Sequence, residues 1–446
     1  MPADASLIPT WIQYDKANNE KNPVWFIDVR NTDFSPHSVL WQERVNAEIE
    51  AVLRQCNTIR WQEPVLIKCH IGEKKCQTRM LPEFCLSTVK HLKAQGIKQI
   101  ACGDSTVAYT GERGYHDNHN NCSAYLGLAE RHGWTEKGPL GIPFIIIDRP
   151  RTSKKGGFSF GDEEIVIQPN KYNRFKEIYI AGGFRKAGVI VNHVHLTLHD
   201  MAQVACAVKG VTMGGSSYRG KLLMHKCYSP VINDETCKRC GTCARKCPEG
   251  ALIWQKAERP HSEYILGFNY RFGVLEWEKP PVPHLDKERC IGCGECIAVC
   301  HGKSISMASA EIDDWLKGSN SLPYRMADYM LGMMEGRWER LLNIVHLYNI
   351  TRRCDCVDEA QKPIVEDIGF VIGRNPFAVD LMCTNLLHEE IYKNTGKGAG
   401  SNRTQLKESE ILKIFFDEYH GFEPYRYIER EYGIVVQPDP IYVKID

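Results

Sequence analysis

The sequence is organised around two cysteine-rich stretches, Cys237-Lys-Arg-Cys240-Gly-Thr-Cys243-Ala-Arg-Lys-Cys247-Pro248 and Cys290-Ile-Gly-Cys293-Gly-Glu-Cys296-Ile-Ala-Val-Cys300. A cubane iron–sulfur cluster needs four thiolates around one small volume, and in two-cluster ferredoxins the last cysteine of each stretch binds the other cluster. The spacing therefore predicts two [4Fe–4S] clusters. The predicted ligands are Cys237, Cys240, Cys243 and Cys300 for the first cluster, and Cys290, Cys293, Cys296 and Cys247 for the second.

Zinc is the alternative metal, because paired Cys-x-x-Cys motifs also form tetrahedral thiolate sites. Zinc ribbons use two separated pairs, however, whereas this chain has two full quartets, each with a three-residue last gap. Gly241, Gly292 and Gly294 suit loops that need positive φ angles close to the sulfur atoms. His301 replaces the proline that follows the first quartet, and this removes no ligand.

The composition is that of a soluble globular protein with a sizeable core. The 446 residues are 43% hydrophobic and 25% charged, which allows roughly two or three domains. A net charge of +1 gives no electrostatic reason to expect nucleic acid or an anionic membrane as a partner. No apolar run approaches the roughly 20 residues of a membrane-spanning helix. The first residues lack the pattern of a signal peptide, so we expect a cytoplasmic location.

Cysteine usage points to a reducing compartment. Nineteen cysteines without an export signal argue against a disulfide framework and for reduced thiols. Because exposed clusters are destroyed by oxygen, we also expect an anaerobic host.

Outside the cysteine stretches, apolar runs alternate with amphipathic segments, which predicts a mostly parallel sheet covered by helices. The predicted strands are 24–29, 65–68, 97–101, 142–147, 164–167, 178–180, 189–191 and 365–372, and the predicted helices are 36–55, 84–95, 200–209, 326–334, 338–347, 377–387 and 405–419, with a flexible loop at 396–402. We therefore predict an α/β domain formed by residues 1–228 and 310–446. A bacterial-ferredoxin-like α+β unit, residues 229–309, interrupts it.

The gap between the two quartets is longer than a compact ferredoxin needs and is rich in aromatic residues. It contains Trp254, Tyr264, Phe268, Tyr270, Phe272 and Trp277. An aromatic β-hairpin here could cover a cluster or dock a partner. Packing of the small unit onto its neighbour explains the same residues and is the simpler interpretation.

Polar residues follow two predicted strands at the edge of the sheet where ligands usually bind. Asp104 follows strand 97–101, and Cys69 and His70 follow strand 65–68. If these strands are neighbours, the three side chains would line one crevice at the carboxyl ends of the strands.

Cys354 and Cys356 are two residues apart. On an extended backbone both thiols would face one side, which suits a metal site. A turn would instead bring the sulfur atoms together as a redox pair. Two buried, small apolar side chains are the structural alternative.

His193, His195 and His199 lie within seven residues. His195 and His199 could bind a metal, or one of them could serve as an acid. Histidines that are hydrogen-bonded in a core explain the same pattern equally well.

Residues 215–221 match the first seven positions of a phosphate-binding P-loop. Leu222 replaces the hydroxyl residue that would hold magnesium, and no clear strand leads into the loop, so nucleotide hydrolysis is not expected. Arg219, Lys221 and His225 could still bind an anionic group of a substrate. A glycine-rich turn against the ferredoxin-like unit is the alternative. Asp380, early in a predicted helix, could meet a helix N-terminal dipole.

Several further stretches together resemble a known family. They are Val65-Leu-Ile-Lys68, Asn192-His-Val-His-Leu-Thr-Leu-His199-Asp-Met201, Ala207-Val-Lys209-Gly210, residues 213–225, Cys354-Asp355-Cys356 and residues 366–380. With the two quartets, the region from about Trp25 to His388 resembles the iron–sulfur proteins classed as domain of unknown function 362. The resemblance implies a redox-active iron–sulfur protein of anaerobes, with the cluster unit inserted as in that family. Where many members carry a Lys and a His near a Met-Gly pair, this chain has Thr197 and His199.

Two functional hypotheses follow. In the first, a ferredoxin-type oxidoreductase passes single electrons through two [4Fe–4S] clusters from a redox partner protein to a small-molecule substrate or a partner's cofactor in the α/β crevice. The candidate catalytic residues are Cys354, Cys356, His199, Lys209 and Asp104. In the second, the chain is an electron carrier or electron-transfer subunit with no substrate site. A catalyst should show convergent polar groups in the crevice, whereas a carrier should show a filled crevice.

Overall fold

The protein is described here from a computed structural model. The structure describes residues 22–445, except 57–58, 110, 156–157, 172, 200, 226–229, 255–267, 272–273, 278–281, 291–294, 301, 303, 308–320, 395–422 and 435. The predicted loop 396–402 and helix 405–419, together with Cys293, Gly292 and Gly294, lie outside the described residues.

The described elements alternate between strands and helices along most of the chain. The strands are β1 (Asn22–Asp28), β2 (Val65–Lys68), β3 (Ile100–Asp104), β4 (Phe144–Ile146), β5 (Glu164–Ile167), β6 (Ile178–Ala181), β7 (Val189–His195), β8 (Thr197–His199), β9 (Gln203–Ala205), β10 (Pro230–Ile232), β11 (Leu252–Ile253), β12 (Phe268–Arg271), β13 (Val274–Trp277), β14 (His284–Leu285), β15 (Ile305–Met307), β16 (Leu341–Leu347), β17 (Gly369–Gly373) and β18 (Pro438–Lys444). The helices are α1 (Val39–Gln55), α2 (Leu86–Ala94), α3 (Ser123–Arg131), α4 (Gly182–Lys186), α5 (Ala207–Gly215), α6 (Tyr218–His225), α7 (Thr242–Lys246), α8 (Glu295–Ala298), α9 (Leu322–Met334), α10 (Pro376–Asn394) and α11 (Glu423–Tyr432), with short 3₁₀ helices at Pro82–Cys85, Pro150–Lys155 and Trp338–Arg340.

Eight of these strands form one sheet in the order β18-β1-β17-β16-β7-β2-β3-β4. Neighbours pair in parallel, except that β17 runs antiparallel to both β1 and β16. β2 is central, because Val65 pairs with Val189 of β7 on one side and with Ile100 of β3 on the other. The predicted mostly parallel α/β fold is therefore confirmed.

Helices cover both faces of the sheet. On α1, Val45, Ile49 and Val52 repeat at helical spacing and are buried against one face of the sheet. Each face of the sheet has its own hydrophobic core, and alternate residues of β2 contribute to the two cores. Ile67 packs on the α1 face, and Leu66 packs on the opposite face. Residues buried on both faces are typical of parallel strands in a three-layer α/β/α arrangement.

The strand order reverses direction between β2 and β7. The chain proceeds from β2 outward through β3 to β4, and then returns to place β7 on the other side of β2, followed by β16. In open α/β sheets, ligands bind outside the carboxyl ends of the strands at such a reversal. The fold thus opens a crevice beside the ends of β2 and β7.

Between residues 230 and 307, the described strands form two-stranded sheets that are separate from the main sheet. β10 pairs with β15 and β11 pairs with β14, both antiparallel, and α7 and α8 pack together. Cys243, Leu252, Cys296 and Ile305 form the buried centre of this unit. β12 and β13 form an antiparallel hairpin, as predicted for the aromatic gap. We call residues 230–307 the cysteine-rich unit.

Two predicted helices are wrong. Residues 341–347, predicted as part of a helix, form the fully buried strand β16. Within the predicted helix 200–209, residues Gln203–Ala205 form strand β9, and the helix begins only at Ala207. The predicted strands 164–167 and 178–180 are confirmed as β5 and β6, but they pair with each other in a separate two-stranded sheet outside the main sheet.

Candidate functional site

A cavity of about 140 Å³ lies at the carboxyl ends of β2, β3 and β7. It is lined by Lys68, His70, Asp104, Ser105, Val107, Ala108, Tyr109, Arg113, Val194, His195, Thr197, His199, Met201, Ala205, Cys206, Lys209, Gly210, Met213, Gly214, Lys221, His225, Cys354, Asp355 and Cys356. We call it the strand-end cavity. All five candidate catalytic residues line it, although they are far apart in sequence.

Cys354 and Cys356 are joined by a disulfide bond. Val357 N–H donates to the carbonyl oxygen of Cys354, and this β-turn brings the two sulfur atoms together. The alternative of an extended backbone with separate thiols is therefore wrong for this pair, and so is the expectation that both thiols are reduced. A disulfide that lines a cavity is an arrangement suited to exchange chemistry.

Asp355, between the two cysteines, anchors their turn to the sheet. Its carboxylate accepts a hydrogen bond from Nδ1 of His195 at 2.8 Å and one from the thiol of Cys76 at 3.4 Å. Its carbonyl oxygen accepts from the N–H of Glu73, in the loop after β2. The middle residue thus fixes the cysteine pair to the end of β7 and to the loop after β2.

The Asp355–His195 pair is charged. Nε2 of His195 donates to the carbonyl oxygen of Tyr348 at 2.6 Å, so both ring nitrogens face acceptors, which suits an imidazolium ion. Burial alone would lower the pKa of His195, but the Asp355 carboxylate outweighs it and the pKa is raised. Burial would likewise raise the pKa of Asp355, but His195 outweighs it and the pKa is lowered.

His199 faces the cysteine pair as a neutral imidazole. Its Nδ1 accepts hydrogen bonds from the backbone N–H groups of Met201 and Ala202, each at 3.0 Å, which leaves the proton on Nε2. Burial, and then the nearby Lys209 and His225, lower the pKa of His199 well below its usual value. The ring therefore offers an N–H donor to a ligand in the cavity.

The donor set of His199, Cys354 and Cys356 lies within 4.8 Å and could hold a metal ion if the disulfide were reduced. Metal binding through Nε2 would require Nδ1 to carry the proton. Two backbone N–H groups already point at Nδ1, so that tautomer would lose both hydrogen bonds. This geometry favours a redox pair over a metal site.

Asp104, at the end of β3, is held by two cations. It lies 3.4 Å from Nζ of Lys68 and 3.0 Å from Nη2 of Arg113. Burial alone would raise the pKa of Asp104, but these two cations outweigh it and hold the pKa below its usual value. Arg113 also pairs with Glu73 at 3.0 Å. Asp104 is therefore an ionised partner of these cations and not a proton donor.

Two lysines present their ammonium groups to the cavity without a carboxylate partner. Nζ of Lys221 donates to the hydroxyl of Ser105 and to the carbonyl oxygen of Ser216. In the described part of the chain, no carboxylate lies within 4.0 Å of Nζ of Lys221 or of Nζ of Lys209. Burial lowers the pKa of each lysine to about 8. Two cations of this kind on the wall of one cavity favour a negatively charged ligand.

Some predicted site residues lie elsewhere. Arg219 points outward and pairs with Glu164, whereas Lys221 and His225 line the cavity. Cys69 packs in the core on the α1 face, so the predicted crevice has His70 and Asp104 but not Cys69.

His193 and Asp380 have structural positions. His193 is buried between Thr88 and His346. Asp380 accepts from the N–H groups of Ala207 and Val208 and so caps α5, a helix other than its own.

The cysteine-rich unit presents four sulfur-bearing residues to one small depression. Cys237, Cys240, Cys243 and Cys300 line it together, although Cys300 lies far along the chain. Gly241, at φ +67°, is in the left-handed conformation predicted for this loop, and a Cβ there would lie 2.6 Å from the ring of Trp254.

Backbone N–H groups point at the sulfur atoms of this unit. Arg239 N–H donates to Cys237 at 3.4 Å, Ala251 N–H to Cys247 at 3.1 Å, and Ser304 N–H to Cys300 at 3.2 Å. Cys247 packs in the same apolar cluster as Cys296. N–H groups aimed at sulfur stabilise thiolates, as in sites where cysteine binds a metal or cluster.

The cysteine-rich unit touches the α/β part beside the strand-end cavity. The hydroxyl of Tyr218, on α6, donates to the carboxylate of Glu249 at 3.2 Å. The Tyr218 ring also stacks on Tyr115, with centroids 4.2 Å apart. Lys221, one turn further along α6, lines the cavity, so a single short helix joins the two regions.

These features define a mostly parallel α/β protein with a cysteine pair in a charged cavity at the ends of its strands. The chain belongs to the family described as domain of unknown function DUF362, whose model matches residues 65–385. Comparisons with curated proteins and with solved structures find no match. Within the described residues, no helix is both long and apolar enough to cross a membrane.

Sequence reasoning missed Lys68, Arg113 and Asp355 as cavity residues. Lys68 ends a predicted strand beside Cys69, and Asp355 lies within the Cys-x-Cys motif, so both had a local signal. Arg113 had none, because it comes from a loop whose path depends on contacts with Glu73 and Asp104.

Proposed function

We propose that the protein is a ferredoxin-type iron–sulfur oxidoreductase. In it, single electrons pass through two [4Fe–4S] clusters to a substrate or a partner's cofactor in the strand-end cavity. The observation that carries the proposal is that Cys354, Cys356, His199, Lys209 and Asp104 converge on one cavity. The clusters would lie in an inserted unit, residues 229–309, between two parts of one α/β domain, 1–228 and 310–446.

The donor set of the first quartet supports the proposal of a cluster. Cys237, Cys240, Cys243 and Cys300 surround one depression, as the interleaved ligand pattern requires, and backbone N–H groups point at sulfur. Cys290, Cys293, Cys296 and Cys247 would hold the second cluster. When bound, such clusters supply one-electron transfer.

The cysteine pair would be the two-electron group of the cavity. Its reduction breaks the S–S bond, takes up two electrons and two protons, and forms two thiols. The electrons come from an external low-potential one-electron carrier protein. A two-electron acceptor bound in the cavity then takes two electrons and two protons from the dithiol, and the disulfide forms again.

Cavity side chains support these proton movements. The pKa of Lys209, lowered by burial to about 8, lets it donate a proton near neutral pH. His199 offers a neutral Nε2–H to a developing thiolate or to the substrate. Asp104 holds Lys68 and Arg113 in place and so positions the positive charge of the site.

An electron carrier without a substrate site is the alternative hypothesis. A carrier should have a filled crevice, whereas the strand-end cavity has a volume of about 140 Å³. The open cavity therefore supports the oxidoreductase. A redox partner protein and an oxygen-free cytoplasm are part of this proposal.

The proposal is tested by iron, sulfide and zinc analysis with low-temperature EPR on anaerobically purified protein. We expect about eight irons per chain, unchanged in the Cys354→Ser/Cys356→Ser double variant. Cys243→Ser should lose iron, whereas Cys122→Ser, at a buried cysteine outside the quartets, should keep it. Zinc in place of iron would overturn the redox proposal. Metal that disappears in the double variant would assign the pair to a third metal centre.

A further inference from the structure

The charges of the strand-end cavity do not balance. Lys68 and Arg113 are neutralised by Asp104 and Glu73. Lys209 and Lys221 have no carboxylate within ion-pair distance among the residues that the structure describes. The cavity therefore holds two positive charges more than its own acids neutralise.

Such charges are costly to bury without a partner. An unpaired ammonium loses hydration that a few neutral oxygen atoms replace only in part. The pKa values of both lysines are accordingly lowered by burial to about 8. A negatively charged group between them would restore the lost stabilisation, since charge-assisted hydrogen bonds are the strong ones.

Part of the cavity wall is apolar, and the cavity volume sets the size of the ligand. Val107, Ala108, Val194 and Met213 contribute to the apolar part. A cavity needs about 10–15 Å³ to hold one water, so 140 Å³ holds a ligand of about ten non-hydrogen atoms. The absence of a side chain at Gly214 leaves room for Lys68, because a Cβ there would lie 2.4 Å from its Nζ.

We propose that the strand-end cavity binds a small organic anion, with its carboxylate or phosphate between Lys209 and Lys221 and its apolar body against Val194 and Met213. This inference rests on the proposed function, because it names the class of substrate for that site. An ammonium has three N–H donors, so Lys209 can hold the anion and remain a proton source.

The first test is isothermal titration calorimetry of the wild-type protein with benzoate, phenyl phosphate and benzamide. Benzoate and the uncharged benzamide have nearly the same shape, so the pair isolates the charge. We expect at least one of the two anions to bind at least tenfold more tightly than benzamide. The stronger of the two identifies a carboxylate or a phosphate site. Equal affinity for benzamide and both anions, or no binding of either anion, would overturn the inference.

Variants then assign the charge to its residues. Lys209→Met and Lys221→Met should each weaken anion binding by about 10- to 100-fold and leave benzamide binding unchanged. Lys90→Met, at an exposed lysine on α2, is the matched control and should bind like the wild type. Anion affinity that is unchanged in folded Lys209→Met would contradict the proposal, and if Lys221→Met fails to fold, Lys209→Met decides. Binding is measured without electron transfer, so its failure is distinct from failure of the redox function.

Discussion

Replacing Asp355 by asparagine tests how the cysteine pair is held in the cavity. Asp355 is 2% exposed, and its carboxylate lies 2.8 Å from Nδ1 of a fully buried, protonated His195. Removing one partner of a buried ion pair costs about 3–5 kcal/mol. Because asparagine keeps an acceptor oxygen for His195, we expect Asp355→Asn to lower the free energy of unfolding by about 3 kcal/mol.

The assay is urea-induced unfolding at several pH values, with Asp358→Asn as the control. Asp358 lies on the same loop but is half exposed and 3.8 Å from Lys75, so its variant should lose less than about 1 kcal/mol. The pKa of Asp355 is lowered and that of His195 is raised, so their pairing stabilises the protein fully between about pH 4 and pH 6.5. This stabilisation is lost as the pH falls through the pKa of Asp355 or rises through that of His195.

Two results would refute this reasoning. One is a loss for Asp355→Asn no larger than that for Asp358→Asn. The other is a loss that stays constant from pH 4 to pH 9, because an ion pair that titrates must change with pH.

Three further predictions concern the cavity and its supports. The affinity for an organic anion should fall as the pH rises through about 8, because Lys209 then loses its charge in the free protein. Calorimetry at several pH values measures this affinity, and an affinity that does not change with pH would exclude Lys209 as an anion-binding residue. Gly214→Ala should displace the ammonium of Lys68 from Asp104, which leaves more negative charge in the cavity and weakens anion binding. Gly161→Ala, with open space around it, should not weaken binding, and equal affinities for the two variants would show that Lys68 has room to move. Burial raises the pKa of Asp380 to about 7, so the stability of the wild type relative to Asp380→Asn should fall as the pH rises from about 4 to about 7. A difference in the free energy of unfolding in urea that stays constant over this pH range would contradict this.

Much of the α/β architecture could be predicted from sequence because several of its strands are short, apolar and followed by amphipathic helices. β2 was predicted at its observed bounds, Val65–Lys68. β16 was missed because its residues are buried on both faces, so its apolar run has no period that separates strand from helix. Its polar Asn343 bonds to Asn192 on the neighbouring β7, a contact that the local sequence does not reveal.

The five candidate catalytic residues are far apart in sequence, and the topology brings them together as the first hypothesis requires. Parallel strands place Asp104 and the residues after β7 at one edge of the sheet, which sequence reasoning could anticipate. The sequence alone could not decide between an extended backbone and a turn at Cys354 and Cys356, because the turn depends on contacts of Asp355 with His195 and with the loop after β2. α5 was placed too early because the hairpin before it ends only at Ala205.

The central claim is tested most directly by the redox state of the Cys354–Cys356 pair in anaerobic, iron-loaded protein. Reduced methyl viologen, a one-electron donor, is added, and differential alkylation with mass spectrometry counts the free thiols. The account predicts that both cysteines become alkylated in the wild type and in Cys122→Ser, and that the pair stays oxidised in Cys243→Ser, which lacks a predicted cluster ligand. A pair that stays oxidised in the wild type, or is reduced equally in Cys243→Ser, would contradict it.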